Sequence, residues 1–491
     1  MPCTDCQHSD PVQNFITTRR RFLTSSASGL GMAALAALFQ QEGLLAADNG
    51  SDARSATGPG PGRPSAPHHT PRATACIFIF MGGGMSQLDM FDPKPLLREH
   101  AGKPLPKSAR QGIRLAFIGA NAGLRPSSFS FNKYGQCGMD FSELLPHLAQ
   151  RADDICMIRS THGDAFNHLP GHLMMNTGFQ QSGHPSIGAW VTYGIGSVSR
   201  NLPMYVVLGG KPTGGPNNYG SGFLPARYQG VPFRNSDEPI LYLQNPAGVT
   251  DAAQAHSVDA MRRLTALQQH EQERAAIDSA IAQYELAFRM QTSGPELVNI
   301  DSEPQWLREA YGIEGRNGRD RHFATNCMLA RRLVERGVRF VTIFDGGWDQ
   351  HDKLDEGLTN NCRRIDQPIA ALLADLKQRG MLDSTLVVMA SEFGRTPITQ
   401  GAFDNPAGGR DHHPYAFTTL LAGGGVKAGY IHGASDEFGW RVASDGVHIH
   451  DLHATILHLM GIDHERLTYT HRGRRFRLTD VHGQVVHPVI A

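Results

Sequence analysis

Six short apolar runs, each stopped by glycine or by polar and charged residues, constrain this chain more than any other feature. They are Ala75–Met81, Ile155–Arg159, Leu202–Leu208, Val338–Phe344, Leu386–Ala390 and Phe417–Leu421. Runs of this length are too short for core helices and read as buried strands. Between them lie segments with helical spacing, at 140–151, 251–292, 319–336, 365–379 and 453–460. Successive helix–glycine–strand units predict an α/β fold with a largely parallel central sheet. Ligands of such sheets bind at the carboxyl ends of the strands, so the polar residues just after each run are the ones to inspect.

Composition narrows the partners. The 491 residues carry 46 Lys+Arg against 46 Asp+Glu, which argues against a nucleic-acid binder. With 40% hydrophobic residues the chain can build a sizeable core. Seven cysteines are too few and too scattered for a disulfide scaffold. The 24 histidines are the unusual count, because histidine is the commonest metal ligand and a frequent acid or base.

The amino terminus reads as an address. Thr18-Arg-Arg-Arg-Phe-Leu23 precedes an uncharged run rich in Ala, Gly, Ser and Leu, then Leu44-Leu-Ala-Ala47. This resembles a twin-arginine export signal over residues 1–47 with cleavage near Ala47, an uncleaved membrane anchor being the alternative. The expected location is therefore exported, periplasmic or extracellular, membrane-tethered if the signal stays, with the twin-arginine translocase as a partner during export. Cys3 and Cys6 would leave with the signal, and Cys76 in its apolar run reads as a buried thiol. Residues 48–72, rich in Ser, Gly, Pro and Ala, read as a disordered linker, and residues 73–491 as the folded domain with a helical insertion near 251–292.

Chemistry collects after the strands. Asp345-Gly-Gly-Trp-Asp349-Gln-His351-Asp352 follows one run, Ser391-Glu392-Phe-Gly-Arg395-Thr396 the next, and a loop then carries Gly409-Arg-Asp411-His412-His413-Pro414. Carboxylates mixed with imidazoles suit Zn, Mn or Fe better than Ca. Arg395 is a candidate clamp for an anionic substrate, or simply the partner of a buried Glu392. His162-Gly-Asp164-Ala-Phe-Asn-His168-Leu-Pro-Gly-His172 places three histidines in eleven residues. Near the front, Asp89 or Asp92 is in reach of the same site, although Asp92-Pro93 also suits a turn. The dispersed C-terminal histidines read as structural or surface, with His453 the near-site candidate.

Taken together, Gly82-Gly-Gly-Met-Ser-Gln-Leu-Asp-Met-Phe-Asp-Pro-Lys-Pro95, Gly347-Trp-Asp-Gln-His351, Ser391-Glu-Phe-Gly-Arg-Thr396, Gly409-Arg-Asp-His-His413, Leu420–Gly429 and Asp451-Leu-His-Ala-Thr-Ile-Leu-His458 resemble the domain of unknown function 1501 family. The likeness runs from about residue 72 to the end. That family is itself similar to the alkaline phosphatase and sulfatase superfamily, which implies an α/β/α sandwich with divalent metal (Zn, Mn or Ca) at the strand ends. Carried over residue by residue, the resemblance makes Asp349, His351, Glu392, Asp411 and His412 metal ligands, with Asp89 a substitute for the aspartate that usually ends the first strand. His168 stands at the superfamily's nucleophile position and His172 at its arginine position, with Thr177-Gly178 at the matching spacing.

The departures leave three readings open. His168 is a nucleophile or a metal ligand, or a metal-activated water attacks directly, or the domain binds without catalysis. The expected function is an exported metal-dependent hydrolase of a small-molecule or polysaccharide sulfate or phosphate ester, with His172 and Arg395 binding substrate. The rival is a non-catalytic binding or assembly protein of the cell envelope on the same scaffold.

Overall fold

In the computed structural model of the protein, residues 66–106, 122–199, 201–236, 239–240, 294–400 and 407–491 are described, with scattered positions between 250 and 291. The chain divides into two units, Ala56–Leu241 with Ser293–Ala491 and Met1–Ser55 with Tyr242–Thr292. The first of these units holds the central sheet and the candidate site. The export signal, the linker up to residue 65 and most of the 251–292 helix lie outside the described residues. The last residues of the expected linker are in place: the amides of His68, Arg72 and Ala73 donate to the carbonyls of Gly461 and Leu459.

Eleven strands and five longer helices frame the site. In chain order they are β1 (Ala75–Met81), β2 (Ile155–His162), α1 (His168–Thr177), α2 (Ile187–Ile195), β3 (Tyr205–Gly209), β4 (Val231–Pro232), α3 (Gly318–Glu335), β5 (Phe340–Asp345), α4 (Leu354–Gln378), β6 (Thr385–Ala390), β7 (Gly394–Gln400), β8 (Gly409–His413), β9 (Phe417–Ala422), β10 (Tyr430–His432), β11 (Val447–His448) and α5 (Ile449–Leu459). The central sheet runs β10-β2-β9-β6-β1-β5-β3-β4, with β11 also on β2. Every pairing is parallel except those of β9 with β2 and with β6.

All seven residues of β1 are buried, as a strand covered on both faces requires. Cys76, Phe78 and Phe80 join Phe340, Phe344, Leu386 and Val388 in one core with α2 and α5, including Trp190, Ile195, Ile456 and Leu459. On alternate residues the sheet turns to α3, which packs on β5, β3 and β1 and against α4. The result is the expected α/β/α sandwich. Burying each of those aromatic side chains contributes about 1.5–3 kcal/mol.

Register places the site. Phe80 pairs with Phe344 on one side and Ala390 on the other, and Gly209 with Phe344. The strands β1, β3, β5 and β6 thus end level, and their following loops emerge side by side. Two expectations differ. Residues 140–151 are not one helix: Met139–Ser142 is a strand, paired with Phe131–Tyr134, and Pro146 starts a single helical turn. Gly409–His413 is a strand rather than a loop, paired with β7 so that His412 faces Arg395 and Gly409 faces Gln400. Its five residues are all buried, a period that a search for apolar runs passes over.

Candidate metal centre

α1 opens at His168, so His168 and His172 lie one turn apart on the same face. Gly171 lets this turn approach closely: a Cβ there would sit 3.1 Å from the Cβ of Glu392. Glu392, at the end of β6, is fully buried and gathers donors. Its Oε1 accepts from His168 Nδ1 at 2.7 Å, His172 Nε2 at 3.2 Å and the Gly83 amide at 2.9 Å. Its Oε2 accepts from Ser391 Oγ at 3.0 Å. Gly83 meets this carboxylate from the β1 loop at φ +124°, where a Cβ would lie 2.6 Å from the Asp349 amide nitrogen. Only glycine fits that crossing.

Four side chains converge beyond His168. His168 Nε2 is 3.1 Å from Asp349 Oδ2, out of line for a hydrogen bond. His351 Nε2 and His412 Nε2 lie 2.9 and 3.2 Å from Asp349 Oδ1 and only 2.9 Å from each other. The ligand atoms of His168, Asp349, His351 and His412 all fall within 4.8 Å of one another.

The tautomers follow from what stands behind each ring. His168 Nδ1 faces Glu392, His412 Nδ1 faces the Phe166 carbonyl at 2.7 Å, and His351 Nδ1 faces Gln400 Oε1 at 2.5 Å. Those oxygens only accept, so each Nδ1 carries a hydrogen, and in the neutral ring that a metal requires each Nε2 presents a lone pair inward. Three lone pairs and a carboxylate aimed at one point repel unless a cation stands between them. An outer ring of acceptors fixing metal-binding imidazoles is the usual support of such a centre. The donor set fits a divalent metal, and three nitrogens with one oxygen favour zinc-like chemistry over calcium.

Electrostatics agree. Burial opposes charge on His168, but the carboxylates of Asp349 and Glu392 outweigh it and push the imidazole up to about 9. Burial also opposes ionisation of Asp349, yet His168, His351, His412 and Arg395 hold it far below the carboxylate range. Glu392 is held low in the same way by His172 and His168. His351 is raised by Asp349, whereas burial lowers His412. The carboxylates thus favour positive charge at this point, whether from a proton on His168 or from a cation that replaces it.

The geometry sorts the expected residues. Asp349, His351 and His412 meet as expected, and His168 joins them through its inward nitrogen. Glu392 takes His168 Nδ1, which leaves Nε2 facing Asp349 among the other candidate ligand atoms. Glu392 stands behind His168 as its hydrogen-bond acceptor, in a second grouping with His168 and His172. Asp89 and Asp411 belong to neither grouping. Asp89 is buried against Arg410, at 2.8 and 3.1 Å, and accepts from Ser86 Oγ at 2.5 Å. Asp411 is buried in β8 and accepts its neighbour's His412 amide at 2.8 Å.

Arg395 does not face an open anion site. All three of its guanidinium nitrogens are engaged, by the carbonyls of Gly83, Gly84, Trp348 and Arg410 and by Asp349 Oδ1 at 2.5 Å. It is wholly buried and ties the loops after β1 and β5 to strand β8. His413 turns away, stacked on Trp440 with Nε2 at its carbonyl, and burial lowers it to about 4. His453 donates to the Met175 carbonyl at 2.8 Å, away from the centre. Ser160 and Thr161 are occupied by the Asp445 carbonyl and Thr419. The five described cysteines form no disulfide.

A cavity of about 240 Å³ opens beside the centre, lined by Gly83, His168, His172, Asp345 and Asp349 on one side and Gly210–Thr213 on another. Residues 73–490 match one family, that described as protein of unknown function, DUF1501. The chain belongs to the DUF1501 family. No curated protein matches the chain. Among solved structures, the PsFucS1 sulfatase from Pseudoalteromonas sp. is similar at a TM-score of 0.33 and 13% identity, covering 80% of this chain and 69% of that one. A magnesium-bound variant of TAB5 alkaline phosphatase gives a TM-score of 0.32 and 13% identity over 80% and 98% of the two chains. The lipoteichoic acid synthase LtaP from Listeria monocytogenes gives 0.33 and 8% over 80% and 74%.

Sequence reading missed Gln400, the Phe166 carbonyl and Lys211 of this DUF1501 protein. Nothing near Gln400 signals its role, which arises from the β7–β8 pairing. Lys211 directly follows a strand and its glycines, so the rule of inspecting strand ends reaches it. Among the described residues, no helix is long and apolar enough to cross a membrane.

Proposed function

We propose that this protein is a metal-dependent hydrolase of a sulfate or phosphate ester, exported by way of its twin-arginine leader. The observation that carries the reading is the inward turn of three imidazole Nε2 atoms and the Asp349 carboxylate onto one point, each ring fixed from behind by an oxygen acceptor. His168, Asp349, His351 and His412 would hold the divalent cation, zinc being favoured by the donor set. A cation bound there supplies Lewis acidity toward an ester oxygen and lowers the pKa of a water.

The protein's own residues do the rest. Glu392 orients His168, Gln400 orients His351, and the Phe166 carbonyl orients His412. Asp349 and His168 line the cavity, so a cation held by them would border the space open to a substrate. His172, buried at the back of the cavity with Nδ1 lacking a protein partner, offers an acceptor to a substrate hydroxyl or water. The nucleophile in this reading is a water, the Ser160 and Thr161 hydroxyls being occupied by the Asp445 carbonyl and Thr419.

The test combines metal analysis of the purified protein with a screen of phosphate and sulfate esters. Roughly one equivalent of a transition metal and turnover, both lost in Asp349→Ala, is the expected result. Stoichiometric metal without turnover on any ester would favour the binding-protein reading, and absence of metal would refute the hydrolase.

A further inference from the structure

We propose that Lys211 binds and positions the anionic group of the substrate, and that the cavity selects a small ester or the terminal ester of a longer molecule. This deepens the hydrolase reading and rests on it for the identity of the anion.

Three observations lead there. First, the arginine that the motifs offer for this task is not available. Arg395 is fully buried and spends its nitrogens on four carbonyls and Asp349. Second, Lys211 is the lysine or arginine that lines the cavity, and among the described residues no carboxylate pairs with it. The two carboxylates on the cavity wall are already matched. Asp345 takes Arg364 at 2.7 and 3.1 Å and Arg319 at 3.0 Å, and Asp349 takes Arg395 and the histidines. Lys211 is exposed and lines the cavity, so its charge is open to an anion that enters there.

Third, the lysine stands on a shaped loop rather than a loose one. Gly209 adopts φ +92° where a Cβ would lie 2.2 Å from the Phe344 carbonyl oxygen, so the chain leaves β3 across the end of β5. Pro212 follows. Asn218 Nδ2 then donates to the carbonyls of Thr213 and Gly215, at 2.8 and 3.2 Å, while its Oδ1 accepts from Asn176 of α1 at 3.4 Å. The loop carrying Lys211 is therefore pinned to the helix that carries His168 and His172. An ammonium is a compact charge with three donors, suited to a tetrahedral oxyanion whose orientation is set elsewhere. The volume of about 240 Å³ lies below the usual range for drug-sized ligands and suits an anion and its nearest atoms, the open side leaving room for the rest of a longer ester.

The experiment measures binding of inorganic phosphate, and in parallel inorganic sulfate, by titration calorimetry. It uses the full protein, metal-loaded and chelator-stripped, with Lys211→Gln and Lys211→Arg. Lys211→Gln is expected to weaken phosphate about tenfold or more in both metal states, the loss typical of a hydrogen bond to a charged group. Lys211→Arg should stay within about threefold of wild type, and bound metal should be unchanged in both variants. Equal affinity in wild type and Lys211→Gln, or no phosphate binding by the wild type, would overturn the proposal. Metal content reports separately on the hydrolase reading: a wild type that takes up no metal defeats that reading, while the stripped-protein comparison still decides the role of Lys211.

Discussion

Replacing Arg395 by lysine separates a structural tie from a substrate clamp. The guanidinium makes five contacts from three nitrogens, to four carbonyls and one carboxylate, with no exposure to solvent. An ammonium has three donors, so at least two of the five acceptors lose their partner. Each buried acceptor left unmade costs about 1–3 kcal/mol, so Arg395→Lys should destabilise by roughly 2–6 kcal/mol. Against a total of about 5–15 kcal/mol for a folded protein, that is a large fraction. Urea unfolding followed by tryptophan fluorescence measures it, with the change expected in the midpoint and little change in slope. Asp349 and the Gly83–Gly84 turn are both among the partners, so metal affinity should fall with stability. An unchanged midpoint combined with weaker phosphate binding would refute the structural account and return Arg395 to the role of clamp.

Other consequences can be checked in the same preparations. Glu392→Gln leaves a neutral amide with one acceptor oxygen behind His168, and Gln400→Leu removes the acceptor behind His351; each should weaken metal binding about 10–100-fold, read by competition with a coloured chelator; unchanged affinity would mean the rings are oriented by packing alone. Gly83→Ala must abandon φ +124° or push the Asp349 backbone away, so a cost of at least about 1–3 kcal/mol and loss of metal are expected, and a stable, metal-loaded variant would contradict the tight crossing of Gly83 over Asp349. Asp89→Asn strands a buried Arg410 and should cost about 3–5 kcal/mol while leaving metal stoichiometry intact, because Asp89 stands outside the centre; one lost equivalent of metal would reinstate it as a ligand. Burial lowers His453 from 6.5 to about 3, despite its bond to the Met175 carbonyl. The unfolded chain therefore takes up this proton first, so stability contributed by the neutral ring is complete above about pH 6.5 and is lost as pH falls toward 3, on the order of 4–5 kcal/mol at most. His453→Gln, which retains a donor, should flatten that part of a pH–stability curve, and an unaltered acid limb would count against it.

The fold was legible because its evidence is local. Apolar runs such as Ala75–Met81 and Leu386–Ala390 end in glycine or charge within a residue or two, and their loops had to share one edge of a parallel sheet. The same reasoning brought Asp349, His351 and His412 together. It failed where a role depends on direction rather than position. Glu392 and Arg395 follow a strand just as Asp349 does, but only the close approach of α1 at Gly171 to the segment after β6 sets Glu392 behind His168. Only the meeting of the β1 and β5 loops with strand β8 takes up the nitrogens of Arg395. Asp89 has the charge of a ligand, and Arg410, distant in sequence, is what claims it. The strand β8 escaped notice because its buried Arg410, Asp411 and His412 find polar partners instead of presenting an apolar pattern.

The β7–β8 ribbon lies outside the central sheet, yet it supplies His412 to the centre and Gln400 to its support. His351 and His412 stand 61 positions apart, and His168 and its acceptor Glu392 stand 224 apart. A cation gripping these groups is a cross-link between remote stretches of chain, removing freedom from the unfolded ensemble as a covalent bridge does. Melting temperature should then track free metal concentration, and the ribbon should be the first segment to exchange its amide hydrogens when the metal is stripped. If the protein is exported already folded, as proposed, the clasp would be closed in the compartment of synthesis, and the metal it carries would record what was available there.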